Sequence, residues 1–484
     1  MMSNNTYHTI VIGAGSGGLT VAVGMANLGK RSAIIEAKDV GGDCTNVGCV
    51  PSKTLIHQAE ILGASGGPAT ALDEVRRKRN ALRDKETEEF GHVPNLDLIF
   101  GRGKLLDAHR VQVSASDGSE QILTAEHIVI ATGARARPLN IPGLPAERQL
   151  SNESVFEIAQ TPQHLAIIGG GVIGMEMAFA FRKLGSRVSM ITNADRVMER
   201  FIPEVAAALE PSLKAHGIAL YTGATAHSYA VDEQVLRIER NAYIESLDGV
   251  DYVLVAVGRQ KNLENVGLEA AGVKFDMRRG IDIDSYGRSN VPHIYAIGDV
   301  TPTSAFTHSA NAQGRRVVQR IAFPLLPARS PEPFYPSATF SDPEVATAGM
   351  SQEQIAARYH PKLIKRIRID LPTQTDRGYT DGLSHGFIIV DAIRLSGKIL
   401  SVTAVGPRVS ELISLFTLAI KEGLSLYKLY GVVYPYPTYS SGIGKVADTF
   451  LRETLPNVRS ELAAYLRYRW AKPQTPSRAG KLTA

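Results

Sequence analysis

The chain opens on an unbroken apolar run, Thr9-Ile10-Val11-Ile12, which breaks into Gly13-Ala14-Gly15-Ser16-Gly17-Gly18 and then into apolar positions at helical spacing ending near Leu28-Gly29. A short run without polar alternation predicts a strand buried on both faces, as in a parallel sheet, and the period that follows predicts a helix. Arg31-Ser32-Ala33-Ile34-Ile35 predicts a second strand, with Glu36 at its end. The same grammar returns at Leu165-Ala166-Ile167-Ile168-Gly169-Gly170-Gly171-Val172-Ile173-Gly174, and residues 28–36 lie on residues 184–192 without a gap. Ile128-Val129-Ile130-Ala131-Thr132-Gly133 and Val253-Leu254-Val255-Ala256-Val257-Gly258-Arg259 read as buried strands ending in small residues, strand-to-turn crossings beside a nucleotide. Together these elements predict an α/β chain with two Rossmann-like units.

Each glycine-rich turn lets the backbone bend sharply and approach a pyrophosphate, whose charge meets the amides of the helix start. Glu36 stands where a carboxylate accepts hydrogen bonds from ribose hydroxyls. In the second unit Thr192 takes that place. Without a carboxylate to repel a 2′-phosphate, and with Arg196 and Arg200 following, the second site is expected to favour NADPH over NADH. Two sites with different strand ends imply two dinucleotides, one held and one exchanged, and FAD with a nicotinamide nucleotide fits them best.

The only two cysteines sit in Gly41-Gly42-Asp43-Cys44-Thr45-Asn46-Val47-Gly48-Cys49-Val50-Pro51-Ser52-Lys53. A close pair beside a nucleotide fingerprint points to redox chemistry. Zinc takes four ligands, and with no third cysteine and no histidine nearer than His57 the metal reading is the weaker. At 484 residues with 44% hydrophobic and 21% charged side chains, the chain is expected to form several domains. The start has no basic region followed by an apolar run, and no stretch approaches membrane-spanning length, so a cytoplasmic protein without a transmembrane segment is expected. Residues 451–484 carry seven basic and two acidic side chains, which accounts for the whole formal charge of +5 and leaves a neutral body. Nucleic acid is therefore not an expected partner. The basic tail reads as a solvated or subunit-packing extension rather than a membrane-surface segment, with Leu462, Leu466 and Trp470 at four-residue spacing forming the face expected to lie on the body.

With both fingerprints, the cysteine pair and Pro51-Ser52-Lys53 in this order, the chain resembles the class I pyridine nucleotide-disulfide oxidoreductases from about residue 7 to residue 450. That group includes dihydrolipoamide dehydrogenase, glutathione reductase and mercuric reductase. Ile294-Tyr295-Ala296-Ile297-Gly298-Asp299 matches its second FAD motif, and the segment from Phe334 to Gly349, with Phe340-Ser341-Asp342-Pro343-Glu344, is similar to the opening of its dimerisation domain. The resemblance implies two Rossmann-like domains, for FAD and NAD(P), plus an α+β C-terminal dimerisation domain, and a homodimer. It places the FAD domain at 1–150 and 276–330, the NAD(P) domain at 151–275, the interface domain at 331–450 and the extension at 451–484. By the family pattern Cys49 is the charge-transfer thiol against the flavin and Cys44 the interchange thiol toward substrate. Lys53 lies beside the flavin and pairs with Glu176, and Asp299 bonds the ribityl chain. Gly13, Gly15, Gly18, Glu36, Thr132, Gly133 and Gly298 join the FAD site, and His308 stands near the flavin in a structural or a chemical role. Gly169, Gly171, Gly174, Thr192, Arg196, Arg200 and Gly258 form the NAD(P) site. Val172 stands where several members place a tyrosine over the flavin, so a less gated nicotinamide pocket is expected.

The pattern breaks at the far end. The family's disulfide reductases carry His-Pro-Thr-x-x-Glu, whose histidine is acid and base for the interchange thiol. In Tyr434-Pro435-Tyr436-Pro437-Thr438-Tyr439-Ser440-Ser441, Tyr436 takes the histidine's place and Ser441 the glutamate's. A tyrosine of pKa near 10 is about one part in a thousand ionised at pH 7, and protonating a thiolate from it is uphill by roughly 2 kcal/mol. General acid–base groups contribute a factor of about 10²–10⁴, so weak turnover of dihydrolipoamide or glutathione disulfide is expected. Mercuric reductase also carries tyrosine here, and soft cations suit thiolates. Its second, C-terminal cysteine pair is missing from this chain. Three readings follow. The first is an FAD-dependent NAD(P)H oxidoreductase acting through Cys44 and Cys49 on a metal ion, a quinone or a partner protein. The second is a dihydrolipoamide dehydrogenase-like enzyme, and the third a redox-sensing flavoprotein with incidental turnover.

Overall fold

The computed structural model describes residues 5–65, 68–303, 305–325 and 334–473. They fall into two compact units. The first takes in the chain up to Gly169, Ala180–Asn193 and the stretch from Gly223; the second takes in Gly170–Phe179, Ala194–Thr222 and the C-terminal part.

In the first unit the buried runs become a parallel sheet in the order Leu96–Phe100, Ser32–Glu36, Thr6–Ile12, Glu120–Ile130, with Ile294–Ala296 pairing the last. Arg110–Ser114 and Arg102–Leu105 extend it antiparallel. Both faces of the central strand are covered, which is why it carries no polar alternation. Ile10 and Ile12 join one core with Leu123, Ile128 and Ile294, while Val11 joins another with Met25 and Ile34. The helices Ser16–Asn27 and Thr307–Ala322 pack so closely that a Cβ on Gly314 would stand 2.9 Å from the Gly17 carbonyl oxygen. A second parallel sheet runs Arg187–Ile191, His164–Ile168, Tyr252–Val255, Gln149–Leu150.

The gapless overlay holds in the hydrogen bonds. Gly13 N donates to Ile35 O and Gly169 N to Ile191 O, each at 2.8 Å, while Ala131 N reaches Ile12 O and Ala256 N reaches Ile168 O, also at 2.8 Å.

The second unit holds an antiparallel sheet in the order Ser337–Thr339, Val345–Gly349, Ile399–Val405, Phe387–Ile393, Ile364–Asp370. Every position of Phe387–Ile393 and Ile399–Val405 is buried, and the helices Val409–Lys421 and Ser441–Thr454 contribute Phe416 and Phe450 to the same core.

The tail corrects an expectation. Its helix Val458–Tyr468 leaves Leu462, Leu466 and Trp470 outward, at 44%, 56% and 81% exposure. The face that packs is instead Glu461, Tyr465 and Tyr468. Glu461 Oε1 accepts from Arg394 at 2.9 Å and from Lys365 Nζ at 3.3 Å, and the Tyr468 ring stacks on His360 with centroids 4.6 Å apart. A buried lysine demands a carboxylate more strongly than a leucine demands cover, so the ion cluster sets the helix's rotation.

Candidate active site

The first fingerprint and the cysteine loop are built against each other. Gly13 sits at φ 108°, and a Cβ there would overlap the Ala131 carbonyl oxygen. Only glycine suits both demands. The helix Ser16–Asn27 begins at Gly15, which offers no side-chain cap and leaves the first amides for a ligand. Gly41 N donates to Ala14 O at 2.9 Å, and a Cβ on Gly42 would stand 2.7 Å from Gly15 Cα. Gly18 is buried in the first helical turn.

Glu36 ends its strand as expected, but its carboxylate also holds the loop: Ala14 N donates to Oε2 at 2.7 Å and Lys38 N to Oε1 at 2.8 Å. Burial raises its pKa against these bonds. A cavity of about 540 Å³ is bordered by Asp39, Arg83, Thr87 and Phe100. Thr132 Oγ1 donates to Asn262 O at 2.7 Å, and Gly133 and Gly298 take positive φ of 69° and 73°. These residues fit FAD: a glycine cradle at a helix start, an acidic residue at the strand end, and a half-buried acid, Asp299, on the Gly298–Val300 turn.

Cys44 lies in the short helix Gly42–Asn46, and Cys49 is the first residue of Cys49–Leu62, at the positive end of that helix's dipole. Both are free thiols, Cys44 half-buried and Cys49 exposed. A hydrogen bond to Cys49, then burial, push the Cys44 thiol well above the ordinary cysteine range. Thr307 Oγ1 stands 3.6 Å from Cys49 Sγ. Lys53 lies one turn beyond Cys49, at the i+4 position that shares its helical face. His308 is exposed and stacks on Phe306 with ring centroids 5.2 Å apart.

Sequence reasoning missed Thr307, next to the histidine it named, and it missed Arg259. The Arg259 guanidinium binds the Asp43 carboxylate, donates to Ala134 O at 2.6 Å and stands 3.4 Å from Asp299. Burial lowers the guanidinium's pKa, but Asp43 and Asp299 more than offset it. Burial raises Asp299, with Arg259 opposing. One cation therefore ties the residue beside Cys44 to the expected ribityl partner. The signal was its place directly after a crossing glycine, Gly258.

In the second fingerprint Gly169 repeats Gly13: φ is 124° and a Cβ would overlap the Ala256 carbonyl oxygen. Gly171 has open space where a Cβ would stand, Gly174 is buried in the helix Val172–Lys183, and Gly258 takes φ 113°. Thr192 is buried directly after its strand. Arg196 folds onto its own loop, donating to Glu199 O at 2.9 Å and Phe201 O at 3.0 Å, while its other terminal nitrogen, Nη1, is buried without a partner among the described residues. Arg200 is exposed.

In the second unit, Glu176 is buried and accepts from Phe340 N at 3.1 Å. Tyr436 is 74% exposed, and a hydrogen bond to Asp376 raises its pKa above the ordinary phenol. Ser441 spends its hydroxyl on Thr438 O at 2.6 Å.

Comparison with known proteins agrees with this geometry. Residues 7–314 match the pyridine nucleotide-disulphide oxidoreductase family and residues 335–447 its dimerisation domain. The chain belongs to this family. It is a flavoprotein disulfide oxidoreductase, an enzyme of a family that binds FAD and NAD(P)H. It is 34% identical over 455 residues to a dihydrolipoyl dehydrogenase of Chlamydia muridarum, covering 90% of this chain and 95% of that one. A mercuric reductase of Bacillus cereus is 31% identical over 464 residues, covering 92% of this chain and 72% of that protein. Among solved structures, the HOCl-induced flavoprotein disulfide reductase RclA from Escherichia coli superposes with a TM-score of 0.82 at 25% identity, over 91% of this chain and 99% of that one. No helix among the described residues is long and apolar enough to cross a membrane.

Proposed function

We propose that this protein, as a homodimer, oxidises NADPH and reduces, through Cys44 and Cys49, an acceptor that needs no imidazole: a soft metal ion, a quinone or a partner protein carrying its own proton donor. FAD, when bound, supplies the two-electron relay between the nicotinamide and the sulfur pair. The chain's own residues do the rest. Gly13, Gly15, Gly18, Glu36 and Asp299 hold the flavin nucleotide, with Thr132, Gly133 and Gly298 shaping its turns. Gly169, Gly171, Gly174, Thr192, Arg196 and Gly258 receive NADPH. When the disulfide takes up two electrons its S–S bond breaks, and the single proton needed to leave one thiol and one thiolate stays on Cys44, which the hydrogen bond to Cys49 favours. Lys53, one turn on, supplies a cation to the anionic sulfur.

The observation that carries this reading is the state of Tyr436: outward, bonded to Asp376 and a weaker acid than ordinary tyrosine. A metal ion that departs as its reduced species leaves no sulfur to be protonated and needs no proton from Tyr436. The likeness to mercuric reductases supports such an acceptor. The second reading, dithiol oxidation as in the dihydrolipoyl dehydrogenases, is favoured by the 34% identity. Steady-state rates with Hg²⁺, Cu²⁺, a quinone, lipoamide and glutathione disulfide separate the two, since lipoamide turnover matching the others would establish the second. Tyr436→His combined with Ser441→Glu should raise lipoamide turnover by ~10-fold or more while leaving metal-ion reduction unchanged. An unchanged lipoamide rate would remove the argument from the missing pair.

A further inference from the structure

His8, Glu126 and His127 gather near the start of Thr6–Ile12 and the middle of its neighbour Glu120–Ile130, with His8 roughly 16 Å from Gly13 at about 3.3 Å of strand per residue. The strand is irregular there. His8 N and Thr9 N both donate to Arg31 O, at 2.8 and 3.4 Å, and the residues facing one core step from Tyr7 to Ile10 before returning to every second position at Ile12. The neighbouring strand keeps register through this step, with Tyr7 opposite Ala125 and Thr9 opposite His127, and the His8 and His127 rings stand with centroids 5.2 Å apart.

The donors are prepared as ligands usually are. Thr9 Oγ1 engages His8 Nδ1 at 2.8 Å, which leaves Nε2 facing Glu126 Oε2 at 3.9 Å. Fixing one imidazole nitrogen through a neighbour sets the ring's orientation and frees the other for a metal. His127 Nδ1 is buried with no hydrogen-bond partner among the described residues. One ligand atom from each of the three side chains lies within 4.8 Å of the others.

We propose that His8, Glu126 and His127 form a binding site for a divalent transition-metal ion of the Zn²⁺ or Cu²⁺ class, independent of the cysteine pair. Two imidazole nitrogens and one carboxylate oxygen are a borderline donor set that leaves the fourth tetrahedral position to water. Bonds of about 2.0–2.1 Å place ligand atoms roughly 3.3 Å apart, and Glu126, with its side chain 71% exposed, is free to close that distance. A bound ion would clamp the two central strands that lead into Gly13 and Gly133.

The test uses the FAD-loaded enzyme with Cys44→Ser and Cys49→Ser, so that no thiolate competes for the probe. Titration calorimetry with Zn²⁺ alone should find one ion per chain, and thermal unfolding should shift upward with saturating Zn²⁺. Glu126→Gln and His8→Asn should each weaken binding at least ~10-fold and abolish the thermal shift. Flavin content and NADPH-dependent flavin reduction should stay unchanged, which separates lost binding from lost folding. Zn²⁺ binding that disappears with the cysteines, or that survives both single variants at unchanged affinity, would overturn the proposal.

Discussion

The two fingerprint units of this chain share their backbone nearly bond for bond. Gly13 and Gly169 both take positive φ, at 108° and 124°, meet the same carbonyl overlap and donate the same 2.8 Å bond to the second strand. At the strand end they part. Glu36 turns back to hold Ala14 N, whereas Gly170, at the place equivalent to Ala14, accepts from Met198 N at 2.8 Å and Thr192 follows directly after the strand. The glycines answer to backbone overlap, a demand identical in both units, and so they repeat. The strand-end residue meets no such overlap, holding its loop in the first unit and following a different loop in the second, and there the copies diverge.

The comparison breaks first at the glycines. Gly13→Ala should yield protein without bound FAD, while Gly169→Ala should keep its flavin and lose at least ~100-fold in kcat/KM for NADPH, as a strained, overlapping backbone costing about 3 kcal/mol implies. Flavin absorbance and steady-state kinetics check both, and loss of flavin in Gly169→Ala would show that the copies do not act independently. The strand end comes next. Thr192→Glu should move the preference between coenzymes toward NADH by roughly tenfold or more, because the carboxylate bonds a ribose diol and repels a 2′-phosphate. Initial rates with NADPH and NADH at equal concentrations read this directly.

The interface sheet has no twin and offers the smallest effect as a control. Burial alone would raise Asp391, but bonds from Arg366, Gln352 and Ser401 outweigh it and hold the carboxyl below the usual range. A depressed native pKa stabilises above the unfolded value near 4 and is lost as pH falls through the native one. Arg366→Gln should therefore cost about 1 kcal/mol at pH 7, since the guanidinium side is 40% exposed, and move the acid-unfolding midpoint upward. Both nucleotide affinities should stay unmoved.

Much of this architecture was legible because its causes are local. Buried runs such as residues 9–12 and 165–168 announce parallel strands, and glycines at fixed offsets announce the turns between them. Thr307 and Arg259 were not legible in the same way. Their roles depend on where a helix start and a crossing turn arrive after hundreds of intervening residues, and no spacing rule selects the one arginine that meets both Asp43 and Asp299. The tail misled for another reason: its apolar stripe is real, but Lys365 on a distant strand decides which face turns inward.

That lysine gives the last helix a sharp boundary. Lys365 Nζ is enclosed by Glu461, the more exposed Glu453 and the Thr454 hydroxyl, and Glu461 also neutralises Arg394. Shortening the chain from its end would first remove the packing of Tyr468 and Tyr465. A cut past residue 461 would be the steepest step, leaving the buried ammonium with only Thr454 and the more exposed Glu453 and depriving Arg394 of its carboxylate.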